Sequence, residues 1–195
     1  MNRLTKTLNN LKKNNKKALV AYLVAGDPDL DSTLDLMKIF VKAGVDVIEI
    51  GVPFTDPIAE GPIIQRAHDR ALDNNISLQK IYEMVKNYRK YDDETPLVLM
   101  GYLNTFIFNK KLIEDNQNNV IDSVLVVDIP GELNLKDYGV YNSNINTISL
   151  ISPTTKKDRV ESIAKNSSGF VYYVTLRGVT GASNLDVNEI NSNIE

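Results

Sequence analysis

Six short apolar runs, separated by stretches of helical periodicity, most narrow the folds open to this chain. They are 18–24, 47–50, 96–100, 123–128, 147–151 and 170–175. Each is nearly continuous rather than alternating, the pattern of a strand covered on both faces, as in a parallel sheet. The intervening stretches carry helix signals. Residues 1–17 read as a polar helix with Leu4, Leu8 and Leu11 on one side. Thr33 to Ala43 is amphipathic and stops at Gly44. A helical pattern runs through Ile63, Ile64, Ala67 and Ala71, and Ser77 caps a helix with Leu78, Ile81, Tyr82, Val85 and Tyr88 on one face. Weaker helices are expected near Lys111 to Asn116, between Glu132 and Asn146, and after Thr154 or Thr155, running through Val160 and Ile163. Strand and helix in alternation call for right-handed crossovers in a parallel sheet. Six strands fit either an open doubly wound sheet or a (β/α)8 barrel that stops two units early. Neither a G-x-G-x-x-G nor a Walker A motif is present, which gives a nucleotide-binding sheet little support.

The bulk properties remove several function classes. At 195 residues a single domain spanning 1–195 with a sizeable core is expected. The net charge of −3 makes no electrostatic case for nucleic acid or an anionic membrane, and no apolar run reaches the length of a membrane span. The basic run Lys12 to Lys17 has no aromatic residues interleaved and reads as a solvated helix end. There is no Cys, hence no disulfide or thiolate site, and the one His, His68, excludes a multi-histidine metal centre. His68 is read as a surface residue on the polar side of its helix. The N-terminal stretch lacks the apolar core of a signal peptide, and a cytoplasmic, metal-free protein is expected.

The chemistry is concentrated in Val47 to Gln65, VIEIGVPFTDPIAEGPIIQ. Glu49 is a carboxylate among β-branched strand residues, a placement that costs several kcal/mol unless the group is paired, hydrated or protonated. The strand breaks at Gly51 into a loop carrying Asp56 and Glu60, and Pro62 suits the first position of the next helix. In parallel α/β architectures such loops lie where ligands bind. Two readings of Glu49 stand: a structural ion pair with a Lys or Arg of a neighbouring strand, or a general acid/base with a raised pKa.

The chain resembles the α subunit of tryptophan synthase from its first helix to Ala182. The most specific piece is Ile48 to Gln65. Ala25-Gly26-Asp27-Pro28, Met100-Gly101-Tyr102-Leu103-Asn104, Asp122 to Asp128, Ser152-Pro153-Thr154-Thr155 and Gly178-Val179-Thr180-Gly181 support it in the same order and at similar spacing. The resemblance implies a TIM-barrel α/β fold and cleavage of indole-3-glycerol phosphate to indole and glyceraldehyde 3-phosphate, without metal or cofactor. It implies that Glu49 is the principal acid/base. Glu60 would be the second carboxylate, accepting the indole N–H from a position often held by Asp. Tyr22, Ile64, Leu99, Met100, Tyr102, Leu125 and Tyr172 would line the indole pocket, although strand-end packing alone would account for Leu99 and Leu125. Tyr172 would lie beside Glu49, with its hydroxyl in reach of the carboxylate. Asp56 would help close the site and signal to a partner, and Thr180 and Gly181 would belong to a mobile lid. The partner so implied is a pyridoxal-phosphate β subunit in an αββα assembly, with the pyridoxal phosphate on the β subunit alone.

The family barrel has two further strands beyond the sixth loop, and their loops supply much of its phosphate site. The expectation is therefore an incomplete barrel of six βα units, with exposed apolar edges at its first and sixth strands. Two functions follow: a lyase, or an impaired fragment that acts only as a binding module for the β subunit.

Overall fold

The computed structural model describes residues 2–175, and Thr180 and Gly181 lie outside them. The helices are α1 (Arg3–Lys13), α2 (Leu30–Lys42), α3 (Pro62–Asp73), α4 (Leu78–Tyr88), α5 (Leu103–Phe108), α6 (Lys110–Asp115) and α7 (Lys157–Asn166). The strands are β1 (Val20–Val24), β2 (Val47–Gly51), β3 (Leu97–Gly101), β4 (Ser123–Val126), β5 (Asn146–Ile151) and β6 (Val171–Tyr173). Short 3-10 turns occupy Gln117–Asn119 and Leu135–Tyr138. Local chemistry sets the helix starts: Asn2, Asp29 and Ser77 each accept a backbone N–H of the first turn of α1, α2 and α4. Gly44, just past the end of α2, has φ +90°, a conformation that costs a residue with a Cβ far more.

All strand pairs are parallel and the order is strictly sequential, β1 to β6. A doubly wound sheet reverses its strand order at a switch point. This one does not, which decides for the barrel architecture over the open alternative. Alternate residues separate two cores. Ile48, Ile50, Leu97, Leu99, Val124 and Val126 face outward into the main cluster with Met37, Ile81, Val85 and Tyr88 of the helices. Val47, Val98, Leu125 and Ile148, from four successive strands, meet Leu4 of α1 on the other face. In the barrel architecture this is the concave face, and α1 covers it where the strands begin, with Asn2 Nδ2 donating to the Asp122 carbonyl just before β4 at 2.8 Å. Among the described residues β1 pairs only with β2 and β6 only with β5.

Three local expectations are corrected. Gly101 to Asn104 reads as a loop in the sequence, but Leu103 already opens α5: Phe106 is fully buried and Asp128 accepts the Leu103 N–H at 2.7 Å, satisfying a first-turn donor from beyond the end of β4. Neither Thr154 nor Thr155 caps α7, because Thr155 Oγ1 accepts Ser152 N–H at 2.9 Å and closes its own turn, leaving Lys156 at the cap position without a side-chain bond. Finally, α1 stops at Lys13, and Asn15 adopts φ +52°.

Candidate active site

Most of the candidate residues, among them Glu49, Tyr22 and Met100, lie on the concave face. Glu49 on β2 lies in register between Tyr22 of β1 and Val98 of β3. It is 4% exposed, and its Oε1 is buried without a hydrogen-bond partner. Among the described residues no Lys or Arg forms an ion pair with it, so the structural-pair reading finds no partner. Burial alone pushes its pKa up to about 7. A carboxyl group that titrates there can give and take a proton near neutrality.

Glu60, 5% exposed, sits in the turn before α3. Burial raises its pKa, and a hydrogen bond from Tyr102 opposes the rise. The Tyr102 hydroxyl donates to Glu60 Oε2 and accepts the Ala59 N–H at 3.0 Å. Its ring stacks on Phe54, with centroids 4.5 Å apart and planes 14° from parallel. Tyr22 completes the cluster. Burial is the main cause of its raised pKa, and the fields of Glu60, Glu49 and Tyr102 add to it. The strand register sets Tyr22 beside Glu49. Gly51 makes room for the ring, since a Cβ there would run into the Tyr22 hydroxyl and Cζ.

The remaining expected residues divide. Met100 and Leu125 face the concave cluster, and Ile64 of α3 packs, like Tyr22, against the small cluster of Val24, Ala67 and Ala71. Tyr172 on β6 is 38% exposed, and after burial the Glu49 field is the second cause raising its pKa, but no hydrogen bond joins the two. Leu99 is on the opposite face of β3, fully buried among the helices. Asp56 is exposed at the loop tip, where Thr55 Oγ1 donates to it at 2.7 Å.

His68 is a correction. It is 1% exposed, accepts the Phe54 N–H on Nδ1 at 3.0 Å, and has a buried Nε2 without a partner. The signal was its spacing: Ile64, Ala67, His68 and Ala71 form one helical stripe, and the polar ring hid the pattern. Among the described residues no group of three His, Cys, Asp or Glu could hold a metal ion, and no helix is long and apolar enough to cross a membrane.

Residues 8–195 match the family model described as tryptophan synthase alpha chain. The tryptophan synthase alpha chain of Neisseria meningitidis serogroup B is 47% identical over 187 residues, covering 92% of this chain and 70% of that protein. The chain belongs to the tryptophan synthase alpha chain family. The α subunit structure from Legionella pneumophila superposes over 100% of this chain and 72% of its own length, with TM-score 0.88 and 38% identity. A chain from the tryptophan synthase α2β2 complex of Pyrococcus furiosus is 36% identical with TM-score 0.75, over 83% of this chain and 66% of that one. Membership in the tryptophan synthase alpha family and the sequential parallel strands agree on the TIM-barrel architecture.

Proposed function

We propose that this chain cleaves indole-3-glycerol phosphate to indole and glyceraldehyde 3-phosphate, with Glu49 as acid/base and Glu60 as the acceptor of the indole N–H. The observation that carries the reading is the unpaired, buried Glu49, whose pKa near 7 matches the proton traffic the reaction needs. Protonated Glu49 gives its proton to indole C3, which leaves positive character on the ring nitrogen. Ionised Glu60 accepts the N–H and stabilises that charge. The Glu49 carboxylate then takes the proton of the glycerol hydroxyl adjoining the ring. The carbon–carbon bond breaks, the carbonyl of the aldehyde forms, and the electron pair of the broken bond restores the indole. Glu49 ends protonated, as it began.

Tyr22, Met100, Leu125, Ile64 and Tyr172 would hold the ring, and Thr180 and Gly181 would cover it. Asp56, exposed on the loop, would face a β subunit in an α2β2 assembly, where any pyridoxal phosphate would reside on the β subunit. Cytoplasmic placement belongs to the same reading. The test is indole release by the purified chain, with and without excess β subunit. Turnover that rises with the partner supports the lyase. Altered β-subunit activity without indole release supports the binding module and sinks the lyase.

A further inference from the structure

Helix α3 grips the active-site loop, residues 52–61, at two points. Near the helix start, Gln65 Nε2 donates to the Glu60 carbonyl at 2.9 Å. One turn further on, His68 Nδ1 accepts the Phe54 N–H at 3.0 Å. Phe54 in turn stacks on Tyr102, and the Tyr102 hydroxyl joins Ala59 N–H to the Glu60 carboxylate. We propose that His68 is a positioning residue: by holding the Phe54 amide it sets the Phe54–Tyr102 pair that aims the Glu60 carboxylate. The inference rests on the role proposed for Glu60.

The chemistry of the ring favours this duty over simple filling. A loop N–H turned toward a helix flank finds no free backbone acceptor there and requires a side chain. Imidazole accepts on Nδ1 only when neutral, with its proton on Nε2. Burial keeps it so by lowering its pKa against the opposing field of Asp69. Ala67 and Ala71, its neighbours on the stripe, pack against Val24 and bring no side-chain polar atom to satisfy, whereas the His68 ring leaves Nε2 unpartnered. An apolar residue would pack there at lower cost, so the acceptor is what the histidine adds.

The experiment compares His68→Leu with His68→Asn, whose Oδ1 overlays Nδ1 and accepts the same bond. Three quantities are read: kcat against KM for indole release, hydrogen exchange of the Phe54 amide, and the NMR titration of the Glu60 side chain. His68→Leu is expected to lower kcat about tenfold with KM within about twofold. It is also expected to speed Phe54 exchange and move the Glu60 titration upward, as the Tyr102 bond weakens. His68→Asn is expected to restore all three. Wild-type kcat and an unmoved Glu60 titration in His68→Leu overturn the proposal, as does equal damage by Leu and Asn. If His68→Leu does not fold, Phe54→Ala breaks the same chain one step later, and an unmoved Glu60 titration there overturns it. A wild-type chain without turnover fails the lyase reading alone, because the exchange and titration arms still decide for or against His68.

Discussion

The hydroxyl of Tyr102 donates to the carboxylate of Glu60, 42 residues earlier in the chain. Among the described residues Glu49 has no such donor. Both acids are buried and burial raises both pKa values, but only Glu60 has a hydrogen bond working against the rise. The two environments therefore differ in the sense that the roles proposed above require: a hydrogen bond favours the Glu60 anion, and burial without one favours protonated Glu49.

Tyr102→Phe tests that division. The variant keeps the ring and its stacking on Phe54, and removes the donor to Glu60 and the acceptor for Ala59 N–H. With the opposing bond gone, the Glu60 pKa moves further up. We expect indole release to fall about tenfold near neutrality and stability to drop by about 1–2 kcal/mol. The checks are steady-state kinetics and urea unfolding. Unchanged kinetics would show that Glu60 does not need Tyr102.

Glu49→Gln separates chemistry from stability. Removal of the acid/base is expected to lower indole release at least about a hundredfold. The Glu49 pKa rises from the ordinary carboxylate value of 4.5 to about 7 on folding, so the folded state binds the proton more tightly. That contribution to stability is complete below pH 4.5 and is lost as pH rises to about 7. Above pH 7 the ionised wild-type carboxylate is a burden that Gln does not carry. The variant should therefore be more stable than wild type at pH 8, by up to about 3 kcal/mol, and nearly equal to it at pH 4. Thermal melts at both pH values check this. A variant less stable at pH 8 would mean that Glu49 has a partner when ionised.

How much of this was legible in the sequence depended on which residues break their local pattern. Glu49 stood out because an acid among β-branched residues is itself the anomaly. Strand order was not legible, since periodicity assigns strands but not neighbours, and only the pairing distinguished a barrel from a doubly wound sheet. For His68 the helical stripe with Ile64, Ala67 and Ala71 carries the burial, but its acceptor role toward a loop 14 residues away is something no helical pattern records. Likewise α5 was hidden because its first-turn donor is satisfied by Asp128, distant in sequence. Leu99 and Met100 could not be told apart at all, because a strand buried on both faces is apolar throughout.

The structure separates those two, and the separation is measurable. Leu99 is in the helix-facing core, whereas Met100 faces the concave cluster near the carboxylates. Leu99→Ala should cost about 2–5 kcal/mol of stability and leave KM for indole-3-glycerol phosphate within about twofold. Met100→Ala, at a half-buried position, should cost less and raise KM about fivefold, through lost contact with the ring. A KM effect confined to Leu99 would place the pocket on the other face of β3.

Asp122 marks the opposite end of the barrel, where stability rather than chemistry is expected. Its carboxylate is 1% exposed and accepts from Arg89 at 2.7 Å, Leu97 N–H at 2.9 Å and Arg3 at 3.3 Å. Those bonds tie α1 and α4 to the start of β3 beneath the concave face. Asp122→Ala leaves the nearly buried Arg89 guanidinium without its counter-ion, the circumstance in which breaking an ion pair is costly, about 3–5 kcal/mol. The pair is shielded from solvent, so the loss should be nearly the same at low and high salt, unlike that of an exposed pair. Urea unfolding at two ionic strengths checks this, and a loss under about 1 kcal/mol would show that water replaces the carboxylate. The titration of Glu49 should not move, because the network touches β2 only through its neighbours.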